Sequence, residues 1–282
     1  MNRQPELHIV VFSKDRAAQL DSLLRSMRDH FAVPFATLTV LYRATDAEYA
    51  AGYALAERRC GLPVNWKPEQ SFRADLLELV GSLAGDDRIL FLVDDDIVFR
   101  RFDQAMVLQR FSPRHLFISL RCSRRYTSVV PPAFIESDEF LEWRWHYGRK
   151  KRYTWNYPFS LDGNIFHVRH MQRALPRVAF KAPNSLEGNL HTYRHKWWVK
   201  RIPLALAPVE AVVVNNPLNR VQTEGETPHQ DIDPSLLNRA FLDGKLIDNR
   251  PYYAHAPKNV HNPTPITLIA ANGSDDRAAV SP

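Results

Sequence analysis

The chain has 282 residues, of which 45% are hydrophobic and 24% charged, so it can bury a large core. It has no apolar run of the ~18 residues that a membrane-spanning helix needs, and we expect no secretory signal, because the first strand follows Met1 almost directly. The two cysteines, Cys60 and Cys122, are too few for a disulfide framework and lack zinc-ligand spacing, so we expect a cytoplasmic protein.

The first hundred residues alternate between buried strands and amphipathic helices. Short apolar runs predict four strands, at 7–12, 37–42, 63–66 and 89–93. Helical spacing and capping residues predict three helices between them, with apolar faces at 20–27, 46–59 and 71–83. This alternation predicts an α/β fold with a mostly parallel sheet and right-handed crossovers. The carboxyl ends of the strands then lie on one edge, where such sheets bind ligands.

The fourth strand runs straight into three carboxylates, Asp94, Asp95 and Asp96. Adjacent acids at the edge of a core repel one another and are costly to desolvate unless a cation neutralises them. Ligands that offer oxygen alone suit Mg²⁺ or Mn²⁺, which usually bridge to substrate phosphates. The alternative is a solvated acidic turn before a helix that Asp103 caps. We favour the metal interpretation.

Two other nucleotide-binding folds share parts of this pattern. A P-loop enzyme needs a Gly-x4-Gly-Lys-Ser/Thr loop, which none of the ten glycines supplies. A dinucleotide-binding fold needs Gly-x-Gly-x-x-Gly after the first strand, where this chain has Ser13-Lys14-Asp15-Arg16. We therefore expect neither fold.

Together, these elements resemble the nucleotide-sugar domain of a family 2-like GT-A glycosyltransferase. The resemblance covers about the first 100 residues, and its motifs are the strand end at 12–16 and an Asp-x-Asp motif at Asp94 and Asp96. Residues 160–164 resemble the acceptor-side strand, and residues 185–189 resemble the start of the helix that carries the catalytic acid in many inverting members. Many members have a second acid where this chain has Gly188.

The resemblance implies an enzyme that moves a sugar from a nucleoside-diphosphate sugar to a glycan or lipid-linked acceptor, by an inverting reaction that needs Mn²⁺ or Mg²⁺. Glu187 is implied as the general base that deprotonates the acceptor, with Asp162 as the second candidate. The residues expected to contact the donor are Ser13, Lys14, Asp15, Arg16, Arg73, Asp94 and Asp95. The expected metal ligands are Asp94, Asp96 and His229.

The same resemblance implies one GT-A-like domain over residues 1–269. Its nucleotide-sugar half is expected at 1–100 and its acceptor-side half at 101–269. The final residues, 270–282, are rich in small and polar side chains and predict a disordered tail.

The net charge of +6 is concentrated in residues 143–155, where five cations alternate with five aromatic side chains, and residues 196–201 echo the pattern. Such a composition suits a membrane interface with anionic lipids, a lipid-linked acceptor or an active-site lid. The alternative is that the tryptophans are core residues and only the charges are solvated. We predict reversible peripheral contact with the inner face of the membrane, and no nucleic-acid partner, because the acidic triplet would weaken polyanion binding.

The C-terminal third predicts a buried strand at 209–214, a polar loop at 215–223 and a helix at 235–242. His191 and His195 are spaced to share one helical face, where they could bind zinc. Two other functions stay open. A sugar nucleotidyltransferase usually carries a glycine-rich loop after its first strand, which this chain lacks, and a non-catalytic binder of anionic polymer would leave the acidic triplet without a role.

Overall fold

The computed structural model describes residues 3–31, 35–126, 130–137, 139–146, 154–218, 232–254, 257–262 and 264–271. The strands are β1 (Leu7–Lys14), β2 (Thr37–Arg43), β3 (Val64–Pro68), β4 (Arg88–Val93), β5 (Asp96–Val98), β6 (His115–Ser119), β7 (Ile135–Glu136), β8 (Phe140–Arg144), β9 (Asn164–His167), β10 (Leu204–Pro208), β11 (Val213–Asn215), β12 (Lys245–Ile247) and β13 (Leu268–Ala270). The helices are α1 (Ala17–His30), α2 (Ala47–Arg59), α3 (Phe72–Gly81), α4 (Gln104–Arg110), α5 (Val168–Ala174), α6 (Pro183–Tyr193), α7 (Trp197–Lys200), α8 (Pro234–Leu242) and α9 (Arg250–Ala254).

Nine strands form the central sheet in the order β3-β2-β1-β4-β9-β6-β10-β8-β7. Parallel pairs join β1 to β2 and β4, β2 to β3, and β6 to β10. Within this sheet, β8 and β9 run against the direction of the other strands, because each pairs antiparallel with both of its neighbours. The predicted α/β fold with a mostly parallel sheet flanked by helices is confirmed.

Helices cover both faces of β1, which explains why its apolar residues run without alternation. Ile9 and Val11 pack into one core with α1, α2 and α8, whereas Val10 and Phe12 pack into a second core with α3, α5 and α6. The apolar face predicted for α1 is fully buried, with Leu20, Leu23, Leu24 and Met27 all 0% exposed. Each such side chain contributes about 1.5–3 kcal/mol through its removal from water.

The strand predicted at 209–214 is wrong in its position. The chain forms β10 at Leu204–Pro208, leaves the central sheet, and then pairs β11 with β5 in a separate two-stranded sheet. Glu210 lies in the connection, where it forms ion pairs with Arg100 and Arg125. A charged residue paired in this way interrupts what looks in the sequence like one apolar run.

The tryptophans of the basic segment are core residues, so the prediction that their side chains contact a membrane is wrong. Trp143, Trp145 and Trp155 are each 1–2% exposed. Trp143 donates a hydrogen bond from Nε1 to the Trp155 carbonyl oxygen at 2.9 Å, and the two rings meet edge to face. The basic run at 149–152 lies outside the described residues. None of the described helices combines the length and hydropathy that a membrane crossing requires.

The C-terminal part of the described chain returns to the first half of the sheet. Asp233 caps α8, close to the predicted helix, and the helix packs on α1 and α2. Ala270 is the last residue of β13, which pairs with β12, so ordered structure extends into the range where we expected a tail. Residues 272–282 lie outside the described residues.

Candidate active site

The parallel strands β1 and β4 end at the same edge of the sheet, which we call the rim, and polar side chains follow both of them. The backbone N–H of Asp94, just after β4, donates to the Phe12 carbonyl oxygen at 3.1 Å. The N–H of Lys14, at the end of β1, donates to Asp94 Oδ2 at 3.3 Å. Because β9 is antiparallel, its start at Asn164 places the preceding Asp162 at the rim as well. The expected meeting of the 13–16 loop with the acidic triplet is therefore observed.

Arg16 holds the first two acids of the triplet. Its Nη1 donates to Asp94 Oδ1 at 3.0 Å and to Asp95 Oδ2 at 3.3 Å. Burial opposes the charge of Arg16, but the two carboxylates outweigh it and raise the pKa of the guanidinium. Its backbone N–H donates to the Tyr53 hydroxyl, which also bonds Ser13 Oγ at 2.7 Å. The loop after β1 is thus fixed against the triplet.

Asp96 is 0% exposed and is bound on both carboxylate oxygens. It accepts hydrogen bonds from the Val93 N–H at 3.0 Å and from Asn215 Nδ2 at 3.2 Å. Burial, and then the charge of Asp162, raise the pKa of Asp96 well above its usual range. Burial also raises the pKa of Asp95 to about 6. The triplet is therefore not a solvated turn, although Asp103 does accept a hydrogen bond from the first turn of α4.

Arg121 is a second buried cation at the rim, and sequence reasoning missed it. Its Nη1 donates to Asp162 Oδ2 at 2.7 Å, and its Nη2 donates to Ser160 Oγ at 2.6 Å. Burial opposes its charge, but Asp162, Asp96 and Glu187 together raise its pKa. The signal in the sequence is an arginine directly after the apolar run that contains β6.

Glu187 lies in the second turn of α6 and reaches back to the rim. Its Oε2 accepts a hydrogen bond from the Leu161 N–H at 3.0 Å, and its side chain also bonds Tyr157. Burial, and then the negative charge of Asp162, raise the pKa of Glu187 to about 7. Asp94, Asp95, Asp96, Asp162 and Glu187 form what we call the carboxylate cluster.

His261 is a further residue at the rim that sequence reasoning did not single out among the eleven histidines. Its Nδ1 is 3.0 Å from Asn215 Oδ1, and Asn215 in turn donates to Asp95 Oδ1 at 2.7 Å. Burial, and then the charge of Arg121, lower the pKa of His261 to about 4. The imidazole is therefore neutral at physiological pH, which is the form that can bind a metal ion.

Not every residue predicted for the site faces the carboxylate cluster. Asp15, which has a φ of 55°, accepts hydrogen bonds from the N–H and hydroxyl of Thr45 and so ties the β1 loop to the one after β2. Arg73 contacts the Pro176 carbonyl oxygen at 3.3 Å and the ring of Phe180. His229 lies outside the described residues.

His191 and His195, whose spacing could have suited zinc, do not share a helical face, because α6 ends at Tyr193 and His195 lies beyond it. His191 instead stacks on the ring of Tyr157, with centroids 4.4 Å apart.

The carboxylate cluster offers the type of donor atom that a hard divalent ion binds. Five carboxylates face two guanidinium groups, those of Arg16 and Arg121, so the fully ionised site carries excess negative charge. Burial is the main cause of the raised pKa values of Asp95 and Asp96, and the charges of neighbouring carboxylates add to it. Carboxylate oxygens with a neutral imidazole nearby are ligands that Mn²⁺ accepts, and Mg²⁺ takes the oxygens.

A second group of potential ligands lies at the opposite edge of the sheet. Among the described residues, the ligand atoms of Glu6, His8 and Asp87 lie within 4.8 Å of one another, whereas no three ligand atoms of the carboxylate cluster and His261 lie that close together. Asp87 precedes β4 and already accepts hydrogen bonds from Arg3 at 2.9 and 3.1 Å. The arginine supplies the positive charge there, so this group does not replace the predicted site at the rim.

Gly163 allows the chain to enter β9 beside Arg121. Its φ is 73°, and a Cβ atom at this position would lie 3.0 Å from Arg121 Cγ and 3.3 Å from Val213 Cγ1. We expect Gly163→Ala to lower the free energy of unfolding by about 1–3 kcal/mol, measured by urea denaturation. Gly81→Ala is the control, because no atom lies within 4 Å of its added Cβ. Equal effects of the two substitutions would contradict the prediction.

Comparison with known proteins adds a distant relative. No protein-family model matches the chain. The bifunctional glycosyltransferase pgtA of Dictyostelium discoideum is 22% identical over 290 residues, an alignment that covers 87% of this chain and 36% of the relative. The chain therefore spans about a third of the length of this relative. Its description as a glycosyltransferase agrees with the resemblance drawn from the sequence motifs.

Solved structures show weaker similarity. An S. aureus TarS fragment is 13% identical, with 74% of this chain and 59% of the fragment covered and a TM-score of 0.46. The mannosyltransferase PcManGT from Pyrobaculum calidifontis, in complex with GDP-Man and Mn²⁺, is 12% identical, with 65% of this chain and 51% of that protein covered and a TM-score of 0.38.

Proposed function

We propose that the protein is a metal-dependent glycosyltransferase that moves a sugar from a nucleoside-diphosphate sugar to a hydroxyl group of a glycan or lipid-linked acceptor. The carboxylate cluster at the rim carries the proposal. Acids gathered at the carboxyl ends of parallel strands, with two arginines that offset only part of their charge, suit a site for a divalent ion and a diphosphate.

The loop after β1 is placed to bind the donor. Ser13, Lys14 and Arg16 surround Asp94, and Arg16 and Asp94 neutralise each other in a buried ion pair. None of the ion pairs among the described residues includes Lys14, so its ammonium group is available to a diphosphate. We assign Lys14 to the donor phosphates and Arg16 to the support of the triplet.

The metal ion belongs at the triplet, with Asp96 as its main ligand and Asp94 or Asp95 beside it. Asp95 is the more open of these two, since 10% of its side chain is exposed against 4% for Asp94. When bound, a divalent ion offsets the charge that develops on the departing diphosphate.

Glu187 is the proposed general base of an inverting transfer. A base works best when its pKa is near the working pH, and burial raises the pKa of Glu187 to about 7. Asp162 is the weaker candidate, because its ion pair with Arg121 at 2.7 Å already neutralises its charge. Glu187 therefore takes the proton of the acceptor hydroxyl, while Arg121 and Asp162 hold the neighbouring backbone in place.

The metal site can be tested by nucleotide binding. We expect Asp96→Asn to weaken Mn²⁺-dependent binding of UDP or GDP by at least about tenfold in calorimetry, because an amide cannot offset the charge of the ion. Because both carboxylate oxygens of Asp96 accept from N–H donors, the amide NH2 group would face one of them, so circular dichroism and urea denaturation of the variant must show that the fold is retained. Asp86→Asn is the matched control, because the side chain of Asp86 is 88% exposed in the loop before β4. Equal affinity of Asp96→Asn and the wild-type protein would refute the metal site.

The reaction itself can be tested with a panel of nucleotide sugars and Mn²⁺, in which slow hydrolysis of one member would identify the donor. Hydrolysis of none of them, together with absence of metal-dependent nucleotide binding, would overturn the proposed function.

A further inference from the structure

A basic pocket lies away from the rim, where α5, α6 and α7 meet. It has a volume of about 390 Å³ and is lined by three cations and three aromatic residues, namely Arg173, Arg177, Tyr193, Lys196, Trp197 and Trp198. This volume lies in the ~300–1,000 Å³ range of small-molecule sites. The pocket is large enough for a small ligand and is open to solvent on one side.

The topology separates the basic pocket from the carboxylate cluster. α7 leads into β10, whose first residue Leu204 pairs with His115 at the start of β6. β6 runs in the same direction as β4, so its start lies at the edge of the sheet opposite Asp94. The pocket is therefore distinct from the proposed donor site.

Stacking on tryptophan holds the arginines of this region in place. The guanidinium carbon of Arg173 lies 4.6 Å from the ring centroid of Trp198, and that of Arg201 lies 4.7 Å from the centroid of Trp197. A stacked guanidinium keeps its N–H groups free at its edge and loses little further entropy when they bind a ligand. Planar N–H pairs of this kind match the oxygens of a phosphate group.

Within the described part of the chain, no acid forms an ion pair with the cations of the basic pocket. Among the ion pairs of the described residues, none includes Arg173, Arg177 or Lys196. Trp197 is 62% exposed, but the stacked arginines cover part of its ring, so the pocket presents N–H donors more than bare aromatic surface. This combination favours an oxyanion over a neutral sugar, and it lacks the cluster of apolar side chains that inserts into a membrane.

We propose that the basic pocket is a second binding site, which takes a phosphate ester carried on a sugar, as in a phosphorylated unit of the acceptor glycan. The phosphate follows from the stacked guanidinium of Arg173 and from the two further cations, Arg177 and Lys196, that line the same pocket. The attached sugar follows from the volume of the pocket and rests on the proposed function. The site would hold part of a longer acceptor while another part reaches the rim.

Binding can be measured by calorimetry and NMR titration of the full chain with glucose 6-phosphate, inorganic phosphate and glucose at low salt. We expect glucose 6-phosphate to bind in the millimolar range, inorganic phosphate more weakly, and glucose not at all. The double substitution Arg173→Gln with Lys196→Gln should weaken glucose 6-phosphate binding by at least about tenfold, while Mn²⁺-dependent UDP or GDP binding stays unchanged.

The control is Arg58→Gln with Arg110→Gln, which removes the same charge from two exposed positions elsewhere and should leave binding unchanged. The proposal fails if the wild-type protein does not bind glucose 6-phosphate, or if binding survives the double substitution in the pocket. It also fails if the double substitution abolishes binding to phosphatidylserine vesicles and has no effect on glucose 6-phosphate, because the partner would then be a membrane. Each outcome is independent of whether the rim catalyses transfer.

Discussion

Glu187→Gln is expected to lower sugar transfer at neutral pH by a factor of about 100 or more, with donor affinity nearly unchanged, because the amide cannot accept the acceptor proton. Glu78→Gln is the matched control, since that carboxylate is 73% exposed and only pairs with Lys67. Steady-state kinetics with the donor found in the panel would measure both. Turnover of Glu187→Gln at the wild-type rate would contradict the assignment and move the role of base to Asp162.

The same residue predicts the pH dependence of the enzyme. The pKa of Glu187 is raised to about 7, and the base acts in its ionised form, so kcat should fall as the pH drops through about 7. Because the folded protein binds this proton more tightly than the unfolded chain, ionisation of Glu187 costs stability, and the full cost is present above about pH 7. Relative to the wild-type protein, Glu187→Gln should therefore raise the thermal unfolding midpoint more at pH 8 than at pH 5. A midpoint difference that does not change with pH would contradict the raised pKa.

The fold could be predicted because its signals are local. Apolar runs of four to six residues and helical spacing placed the first four strands and three helices, and the acidic triplet directly follows the end of the fourth strand. The strand at 209–214 was misplaced because apolar composition alone does not show where the chain leaves a sheet. There, an ion pair between Glu210 and Arg125 at 2.7 Å marks the exit, and its partners are far apart in sequence.

The candidate site was predicted only in part, because its contacts join distant positions. Asn215 reaches Asp95 across 120 positions, and Arg121 reaches Asp162 across 41, so no spacing in the sequence indicates either pair. Composition misled in the same way at the basic segment. Trp143 and Trp155 pack against each other with their ring centroids 5.0 Å apart. A sequence that mixes tryptophan with arginine and lysine does not show whether the aromatic side chains are buried in the core or exposed beside the charges.

Arg121 interacts with three members of the carboxylate cluster, Asp162, Asp96 and Glu187, so its removal should have a large effect on stability. Arg121→Met leaves Asp162, whose side chain is 14% exposed, close to Asp96 and Glu187 without its ion-pair partner. We expect a loss of about 3–5 kcal/mol in the free energy of unfolding, measured by urea denaturation. Arg125→Met is the control, because Arg125 is 65% exposed and its surface ion pair contributes about 0–1 kcal/mol.

A second substitution separates the charge of Arg121 from its packing. Arg121→Met combined with Asp162→Asn removes both members of the buried ion pair, so it should recover most of the lost stability if the unpaired carboxylate causes the loss. Arg121 also lowers the pKa of Glu187, so its removal should shift the acid limb of the pH–rate profile to higher pH. Arg121→Lys keeps the charge but cannot bond Asp162 and Ser160 with one planar group. Compared with Arg121→Met, it should therefore bring the pH profile closer to that of the wild-type protein than it brings the stability. A pH–rate profile that is identical in all variants would show that Arg121 only supports the fold and does not influence the pKa of Glu187.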